Sequence, residues 1–267
     1  MVRIALGQVT PVWEDPIATL QKVEPFIAEA AAKGAMIICF PEQFATGWDP
    51  GSSSNAQPLD GDIFHVLSGY AKQYNIAVLG SLRLPGEGKL FNTCVVAGQD
   101  GTLLASYRKI HLFSPLKEGA NYHHGDNIVT FQLGGMTFGI AICYDLRFSP
   151  LFRVYATAGV ECILVPSAWP ASRMDAWELF IRTRAIENQI FVAGINTVGI
   201  TPVDWYSGNS IVAGPSGTII SRAPEAEGIT CADLDPMAIE EARQAMHVEQ
   251  DRKTGLYHNM ARAVKKK

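Results

Sequence analysis

Short apolar runs that alternate with helical patterns constrain the fold of this 267-residue chain more than any other feature. Five segments place apolar residues at the three- and four-residue steps of a helix, at 17–33, 63–74, 148–158, 175–189 and 237–246. A dozen other segments are short and β-rich, at 3–9, 36–40, 76–82, 92–97, 103–108, 128–133, 137–143, 162–166, 191–196, 210–213, 218–221 and 229–234. The chain is therefore of the α/β class.

The character of the strands indicates how the sheets are arranged. Residues 37–40 and 163–165 are apolar on both faces, which is typical of central strands that are covered on both sides. The turn sequences 99–102 and 214–217 predict antiparallel hairpins. A dozen strands are too many for one doubly wound sheet with five helices. The pattern favours two mixed sheets packed face to face, with helices outside, and residues 1–267 show no linker that would divide them into two domains.

Composition excludes several classes of protein. The formal net charge is −4, whereas nucleic-acid binding requires clustered Lys and Arg. No apolar stretch approaches the roughly 18 residues that a membrane span needs. The first residues run directly into a strand pattern and lack the features of a signal peptide. We expect a cytoplasmic protein without nucleic-acid or membrane partners.

The cysteines and histidines indicate neither disulfides nor a metal. The five cysteines are an odd number, and none has C-x-x-C spacing, which predicts reduced thiols that are mostly buried. His123 and His124 lack a third ligand at suitable spacing, so we interpret them as loop residues. No metal site is expected.

Three strand patterns end in polar residues that could do chemistry. Glu42 follows the run 37–40, Lys109 and His111 follow 103–108, and Cys143 ends the run 137–143 before a helix. Burial raises the pKa of a carboxyl group and makes it a usable base, and a nearby ammonium group would lower the pKa of a thiol. Taken singly, each has an ordinary interpretation: a surface glutamate, a basic strand end or a buried cysteine. Taken together, they fit a ligand crevice at the ends of parallel strands.

Three motifs give this chain a resemblance to the nitrilase superfamily of carbon–nitrogen hydrolases. They are Phe-Pro-Glu at 40–42, Tyr-Arg-Lys-Ile-His-Leu-Phe at 107–113 and Cys-Tyr-Asp-Leu-Arg-Phe at 143–148. The resemblance spans nearly the whole chain. It implies a four-layer αββα sandwich in a single domain, with a C-terminal arm at about 248–267 that packs on a partner in a homodimer or larger assembly.

The resemblance also implies the catalytic residues. The Glu-Lys-Cys triad of the family carries over to Glu42, Lys109 and Cys143, and its second glutamate carries over to Glu118. Cys143 would attack an amide carbon and form a thioester, with Glu42 as the base. Lys109 and the backbone N–H of Tyr144 would hold the oxyanion.

Other segments resemble one branch of the family. Tyr144-Asp145 follows the cysteine where nitrilases usually have Trp-Glu, and segments 167–173, 184–189 and 194–199 are similar to bacterial omega-amidases. Those enzymes cleave monoamides of dicarboxylic acids such as 2-oxoglutaramate. Arg173 is then the candidate partner of the substrate carboxylate, and Trp169 a candidate pocket wall. The alternatives are a surface arginine and a core tryptophan.

Other functions remain open from the sequence. The protein could hydrolyse N-carbamoyl amines or amino acids, or short aliphatic amides. It could supply ammonia in trans as a glutaminase subunit. A non-catalytic interaction module on the same fold is a further alternative, although all four polar positions of the family site are present.

Overall fold

The protein was analysed as a computed structural model, which describes residues 1–264. The strands in this range are β1 Val2–Gln8, β2 Ile37–Cys39, β3 Ala77–Pro85, β4 Leu90–Ala97, β5 Leu103–Arg108, β6 Thr130–Leu133, β7 Met136–Ile140, β8 Cys162–Ser167, β9 Phe191–Asn196, β10 Val198–Ile200, β11 Trp205–Ser207, β12 Ile211–Ala213, β13 Ile219–Arg222 and β14 Gly228–Leu234. The α-helices are α1 Pro16–Ala32, α2 Asp62–Tyr74, α3 Ser149–Thr157, α4 Met174–Asn188, α5 Pro236–Ala245, α6 Val248–Asp251 and α7 Thr254–Val264.

Two six-stranded sheets form the centre of the molecule. Their strand orders are β14-β1-β2-β3-β4-β5 and β13-β12-β9-β8-β7-β6. Strands β1, β2 and β3 are parallel, as are β7, β8 and β9, and the remaining pairs are antiparallel. The hairpins predicted at 99–102 and 214–217 join β4 to β5 and β12 to β13.

Three apolar clusters hold the layers together. The cluster between the sheets includes Ile4 from the first sheet and Phe138 and Leu164 from the second. Another packs α1 and α2 on the outer face of the first sheet, and the third packs α3 and α4 on the outer face of the second. The layers therefore follow the order helix, sheet, sheet, helix, which confirms the predicted four-layer αββα sandwich.

Local sequence explains where the helices lie. In α1 the side chain of Asp15 accepts a hydrogen bond from the Ala18 N–H at 3.0 Å, and Gly34 follows the helix with φ of 74°. Helix α4 buries Trp177, Ile181 and Ala185, which lie on the predicted apolar face. One turn apart on this helix, Arg184 and Glu187 form an ion pair at 3.0 Å.

The sequence patterns missed two strands and two helices. The strands β10 and β11 form a separate two-stranded hairpin, and α6 and α7 follow the five predicted helices. The C-terminal arm predicted at about 248–267 coincides with α6 and α7, and its last three residues lie outside the described range. Over residues 1–264, no helix combines the length and the apolar character that crossing a bilayer requires.

Substitutions at two glycines test how closely helix α4 packs on the second sheet. A Cβ at Gly194 of β9 would lie 2.0 Å from Ile181 Cδ1 and 2.6 Å from Trp177 Cζ2 of α4. We expect Gly194→Ala to lower the free energy of unfolding by about 1–3 kcal/mol, because α4 must move away from the sheet. Thermal and urea unfolding followed by circular dichroism measure this change.

The matched control is Gly69→Ala in α2. Gly69 is exposed, and a Cβ there would meet no atom within 4 Å. Alanine loses less backbone entropy than glycine in a helix, so this variant should be more stable than the wild type by about 0.5–1 kcal/mol. If Gly194→Ala unfolds at the same denaturant concentration as the wild type, close packing of α4 on β9 is not what fixes this helix.

Candidate active site

The topology brings four strand ends to one edge of the sandwich. In the first sheet β2 and β3 are parallel and β4 reverses the direction, so β5 runs parallel to β3 and ends at the same edge as β2. Glu42 follows β2, and Lys109 follows β5 directly. In the second sheet β7 and β8 are parallel, and Cys143 and Ala168 follow their ends. The predicted catalytic residues are thus neighbours in space.

Glu42, Lys109 and Glu118 form a buried charged cluster. Lys109 Nζ lies 2.8 Å from Glu42 Oε1, and 3.1 and 2.9 Å from the two carboxylate oxygens of Glu118. Each of the three residues is at most 1% exposed. A buried ammonium group is tolerated only where charges and hydrogen bonds compensate its lost hydration, and the two carboxylates provide both.

Neutral N–H donors also bind the oxygens of both carboxylates. The side-chain amide of Asn92 donates to Glu42 Oε1 at 2.7 Å and to Glu118 Oε1 at 3.2 Å. The Phe113 N–H donates to Glu118 Oε2 at 2.6 Å. The Ala168 N–H donates to Glu42 Oε2 at 3.2 Å, and this bond connects the first sheet to the second. The cluster is therefore held by both sheets.

Cys143 lies on a turn and does not end a strand as predicted. Strand β7 ends at Ile140, and residues Cys143–Arg147 form one 3₁₀ turn before α3. Cys143 has φ of 43°, in the left-handed region, which a β-ladder cannot accommodate. This conformation is uncommon for residues other than glycine and is typical of functional sites.

Asp145 fixes the turn that carries Cys143. Its buried carboxylate accepts hydrogen bonds from the Ile142 N–H at 2.8 Å and from the Tyr107 hydroxyl at 2.8 Å. It also accepts the His111 N–H at 2.9 Å, and His111 Nδ1 lies 2.7 Å away. Asp145 therefore joins the segment after β5, which carries Lys109, to the turn that carries Cys143.

Burial and neighbouring charges shift the pKa values of Glu42, Lys109 and Cys143. Burial raises the pKa of Glu42, with Lys109 opposing and Glu118 adding to the shift. For Lys109, burial alone would lower the pKa, but the charges of Glu118 and Glu42 outweigh it and raise the pKa above its ordinary value. Burial and the charge of Glu42 hold the pKa of the Cys143 thiol well above its ordinary value, although Lys109 opposes them.

Lys109 does act to lower the thiol pKa, as expected, but the net shift of that pKa is upward. The ammonium group does favour the thiolate, but desolvation and the adjacent carboxylate act more strongly in the opposite sense. We therefore expect the resting side chain of Cys143 to be a protonated thiol. An attack by its sulfur requires a base, and Glu42 is the carboxylate beside it.

A cleft opens over the nucleophile turn. The sequence-predicted residues Tyr144, Trp169 and Arg173 all line it, together with Lys109 and Cys143. The other residues of its lining are Trp48, Phe113, Leu116, Arg147, Ala168, Pro170 and Asp204. Trp169 satisfies both interpretations given above, because its ring lines the cleft and also packs 5.6 Å from that of Trp177 in the core.

Sequence reasoning assigned no role to three residues of the site. Asn92 lies in β4, and a polar residue in an apolar strand was the signal that could have identified it. Asp145 and Arg147 both belong to the 143–148 motif. The sequence does not show that Asp145 faces the segment after β5 or that Arg147 lines the cleft.

His123 and His124 lie in a loop. His123 Nε2 is 2.8 Å from the Glu87 carbonyl, and His124 Nδ1 is 2.8 Å from the carbonyl of Gly125. Within the part of the chain that the structure describes, no group of three or more His, Cys, Asp or Glu residues is arranged to hold a metal ion.

The fold and the site together define a class of hydrolase: a four-layer sandwich that holds a thiol, an ammonium group and two carboxylates at one edge. The chain belongs to the carbon–nitrogen hydrolase family, whose family model matches residues 3–244. Its relatives include the human omega-amidase, 36% identical over 87% of this chain and 88% of the relative. The 2-oxoglutaramate amidase of Bacillus subtilis is 31% identical over 91% of this chain and 94% of its own. The protein is thus a hydrolase of carbon–nitrogen bonds other than peptide bonds.

Solved structures agree with this family. An amidase from Nesterenkonia sp. superimposes with a TM-score of 0.87 at 28% identity, covering 97% of this chain and 96% of that one. A variant of the Nesterenkonia amidase carries acrylamide added to its active-site cysteine. A CN-hydrolase superfamily protein from Xanthomonas campestris, with an arsenic adduct in its active site, has a TM-score of 0.88 at 28% identity, over 94% and 97% of the two chains.

The protonation state of Cys143 can be measured directly. We expect the difference in ultraviolet absorbance between the wild type and Cys143→Ser to show no thiolate at neutral pH, because burial and Glu42 hold the thiol pKa above its ordinary value. Thiolate should form only as the pH rises through that raised pKa. A titration step below neutral pH would mean that Lys109 dominates the electrostatics of the sulfur.

Proposed function

We propose that the protein is an omega-amidase that hydrolyses the terminal amide of a dicarboxylic acid monoamide, such as 2-oxoglutaramate, to a carboxylate and ammonia. The observation that carries this proposal is the buried cluster of Glu42, Lys109 and Glu118 beside Cys143, at the base of a cleft that Arg173 also lines. The functions named for the human and Bacillus relatives support the same substrate class.

In the first half of the reaction, Cys143 attacks the amide carbon. Glu42 accepts the thiol proton as the carbon–sulfur bond forms, and burial has raised the pKa of this carboxyl group, as suits a general base. The oxyanion is stabilised by the Lys109 ammonium group and the N–H of Tyr144, the residue after the nucleophile. These donors are fixed before substrate binds, so they need little reorganisation.

Collapse of the tetrahedral intermediate breaks the carbon–nitrogen bond. Glu42 returns its proton to the leaving nitrogen, ammonia departs, and the acyl group remains on the sulfur as a thioester. Glu42 then removes a proton from water, and the resulting attack on the thioester releases the carboxylic acid and restores the thiol. One amide and one water are consumed, and no cofactor takes part.

Glu118 keeps the cation in its working position. Both of its carboxylate oxygens lie within 3.1 Å of Lys109 Nζ, and the Phe113 N–H holds one of them. Without this second carboxylate, Lys109 would form a closed pair with Glu42 and occupy the base.

Removal of either reacting group tests this mechanism. Cys143→Ala should abolish turnover, and Glu42→Gln should lower kcat by about 10²–10⁴-fold, because the thiol loses its base. The measurement is ammonia release together with intact-mass detection of a thioester, whose added mass identifies the acyl group. Cys231→Ala on the edge strand β14 is the control and should behave as the wild type. Turnover retained in Cys143→Ala would refute the mechanism.

A panel of amides tests the substrate class. We expect glutaramate and succinamate to have higher kcat/KM values than propionamide, because only they carry a carboxylate for Arg173. Carbamoylputrescine and N-carbamoyl-β-alanine represent the carbamoyl hydrolases. Preference for either carbamoyl compound, or equal rates with propionamide, would exclude the omega-amidase and leave the protein in another branch of the family.

A further inference from the structure

Two arginines of the cleft differ from most arginines of the chain. Seven others form ion pairs with carboxylates, among them Arg83 with Glu14 and Arg184 with Glu187. Arg147 and Arg173 line the cleft beside Cys143, and within residues 1–264 neither has an ion pair or a side-chain hydrogen bond. Their guanidinium N–H groups are therefore available to a ligand.

Aromatic rings hold both guanidinium groups in place. The Arg147 guanidinium carbon lies 5.2 Å from the ring centre of Trp169, 5.1 Å from that of Phe180 and 6.0 Å from that of Tyr144. The guanidinium carbon of Arg173 lies 5.3 Å from the ring centre of Phe113. A cation–π contact uses the face of a guanidinium group and leaves its N–H edge free to donate to an anion.

The backbone of Arg147 is fixed relative to the sulfur. Cys143 and Arg147 are the first and last residues of one 3₁₀ turn, which Asp145 holds at one end. At the other end, Arg184 Nε donates to the Leu146 carbonyl at 2.9 Å. The turn that positions the nucleophile therefore also sets the span between the sulfur and the base of the Arg147 side chain.

The charges of the lining favour an anionic substrate group. Lys109 is neutralised by Glu42 and Glu118, so it contributes little to the cleft beyond the reacting atoms. Asp204 is the acidic residue of the lining, and its Oδ1 accepts the Trp205 N–H at 2.8 Å. Apart from Lys109, the lining therefore carries two positive charges, on Arg147 and Arg173, and one negative charge, on Asp204.

We propose that Arg147 is a specificity-determining residue that, with Arg173, forms a two-guanidinium subsite for the carboxylate at the end of the substrate opposite the amide. The inference rests on the proposed function and adds to it the residue that selects the substrate. A planar carboxylate accepts two parallel hydrogen bonds from a guanidinium group, which a neutral alkyl end cannot do.

The experiment compares two amides of the same chain length. Glutaramate carries the distal carboxylate, and pentanamide has a methyl group in its place. We expect Arg147→Gln to lower kcat/KM for glutaramate by about tenfold to hundredfold, mainly through KM, and to leave pentanamide within about twofold. Arg147→Lys should recover part of the loss, because it keeps the charge but not the bidentate geometry.

The matched control is Arg108→Gln. The Arg108 guanidinium carbon also lies over an aromatic ring, 3.9 Å from the centre of Phe91, but this residue is outside the cleft. The control should leave both substrates unchanged. Equal losses on glutaramate and pentanamide in Arg147→Gln, or no loss on either, would overturn the subsite.

The wild type separates this result from failure of the proposed function. If the wild type does not favour glutaramate over pentanamide, the omega-amidase proposal itself fails. If the wild type favours glutaramate and Arg147→Gln keeps the same preference, the function stands and the role of Arg147 is wrong. Binding of glutaramate to Cys143→Ala, with and without Arg147→Gln, gives a second measurement that does not depend on turnover.

Discussion

The burial of Lys109 between two carboxylates is the constraint on which the rest of the site depends. An ammonium group out of water costs several kcal/mol unless its partners compensate for the lost hydration. Here the partners come from the segment after β2 and from the loop after β5, and Glu42 also accepts a hydrogen bond from Ala168 of the second sheet. Displacement of the segment after β2 or of the loop after β5 would remove one carboxylate partner of the buried ammonium group. The cluster therefore fixes the edge of the sandwich where the strand ends meet.

The same cluster determines the chemistry of the thiol. Two carboxylates and one ammonium group leave an excess of negative charge beside Cys143, and burial adds to it, so the pKa values of both Cys143 and Glu42 are raised. A resting thiol of this kind is a poor nucleophile for chance electrophiles. In the proposed mechanism, Cys143 becomes reactive when its sulfur attacks a bound amide while Glu42 accepts the thiol proton. Under the proposed mechanism, proton transfer and bond formation thus occur together.

Periodicity and turn chemistry predicted the twelve longer strand and hairpin segments and the five main helices, because a half-buried element shows its buried face in its sequence. The β10–β11 hairpin shows no such signal. Val198–Ile200 and Trp205–Ser207 are only partly buried and lie outside the two main sheets, whereas the equally short β2 and β12 are apolar and fully buried. The family motifs predicted that Glu42, Lys109, Glu118 and Cys143 belong to one site. They could not give the left-handed φ of Cys143 or the sign of its pKa shift, because both result from tertiary surroundings.

Under the proposals made above, one turn carries both the reacting sulfur of Cys143 and a residue that recognises the substrate, Arg147. Asp145 and Arg184 hold it from two sides, and Cys143 and Arg147 project from its ends. The charged cluster lies below the cleft, whereas Trp169 and Arg173 lie on the separate segment after β8. Substitutions in that segment can alter the far end of the cleft without leaving a buried charge unpaired. Under these proposals, the buried charged cluster can stay constant while the contacts that Trp169 and Arg173 make to the far end of the substrate change.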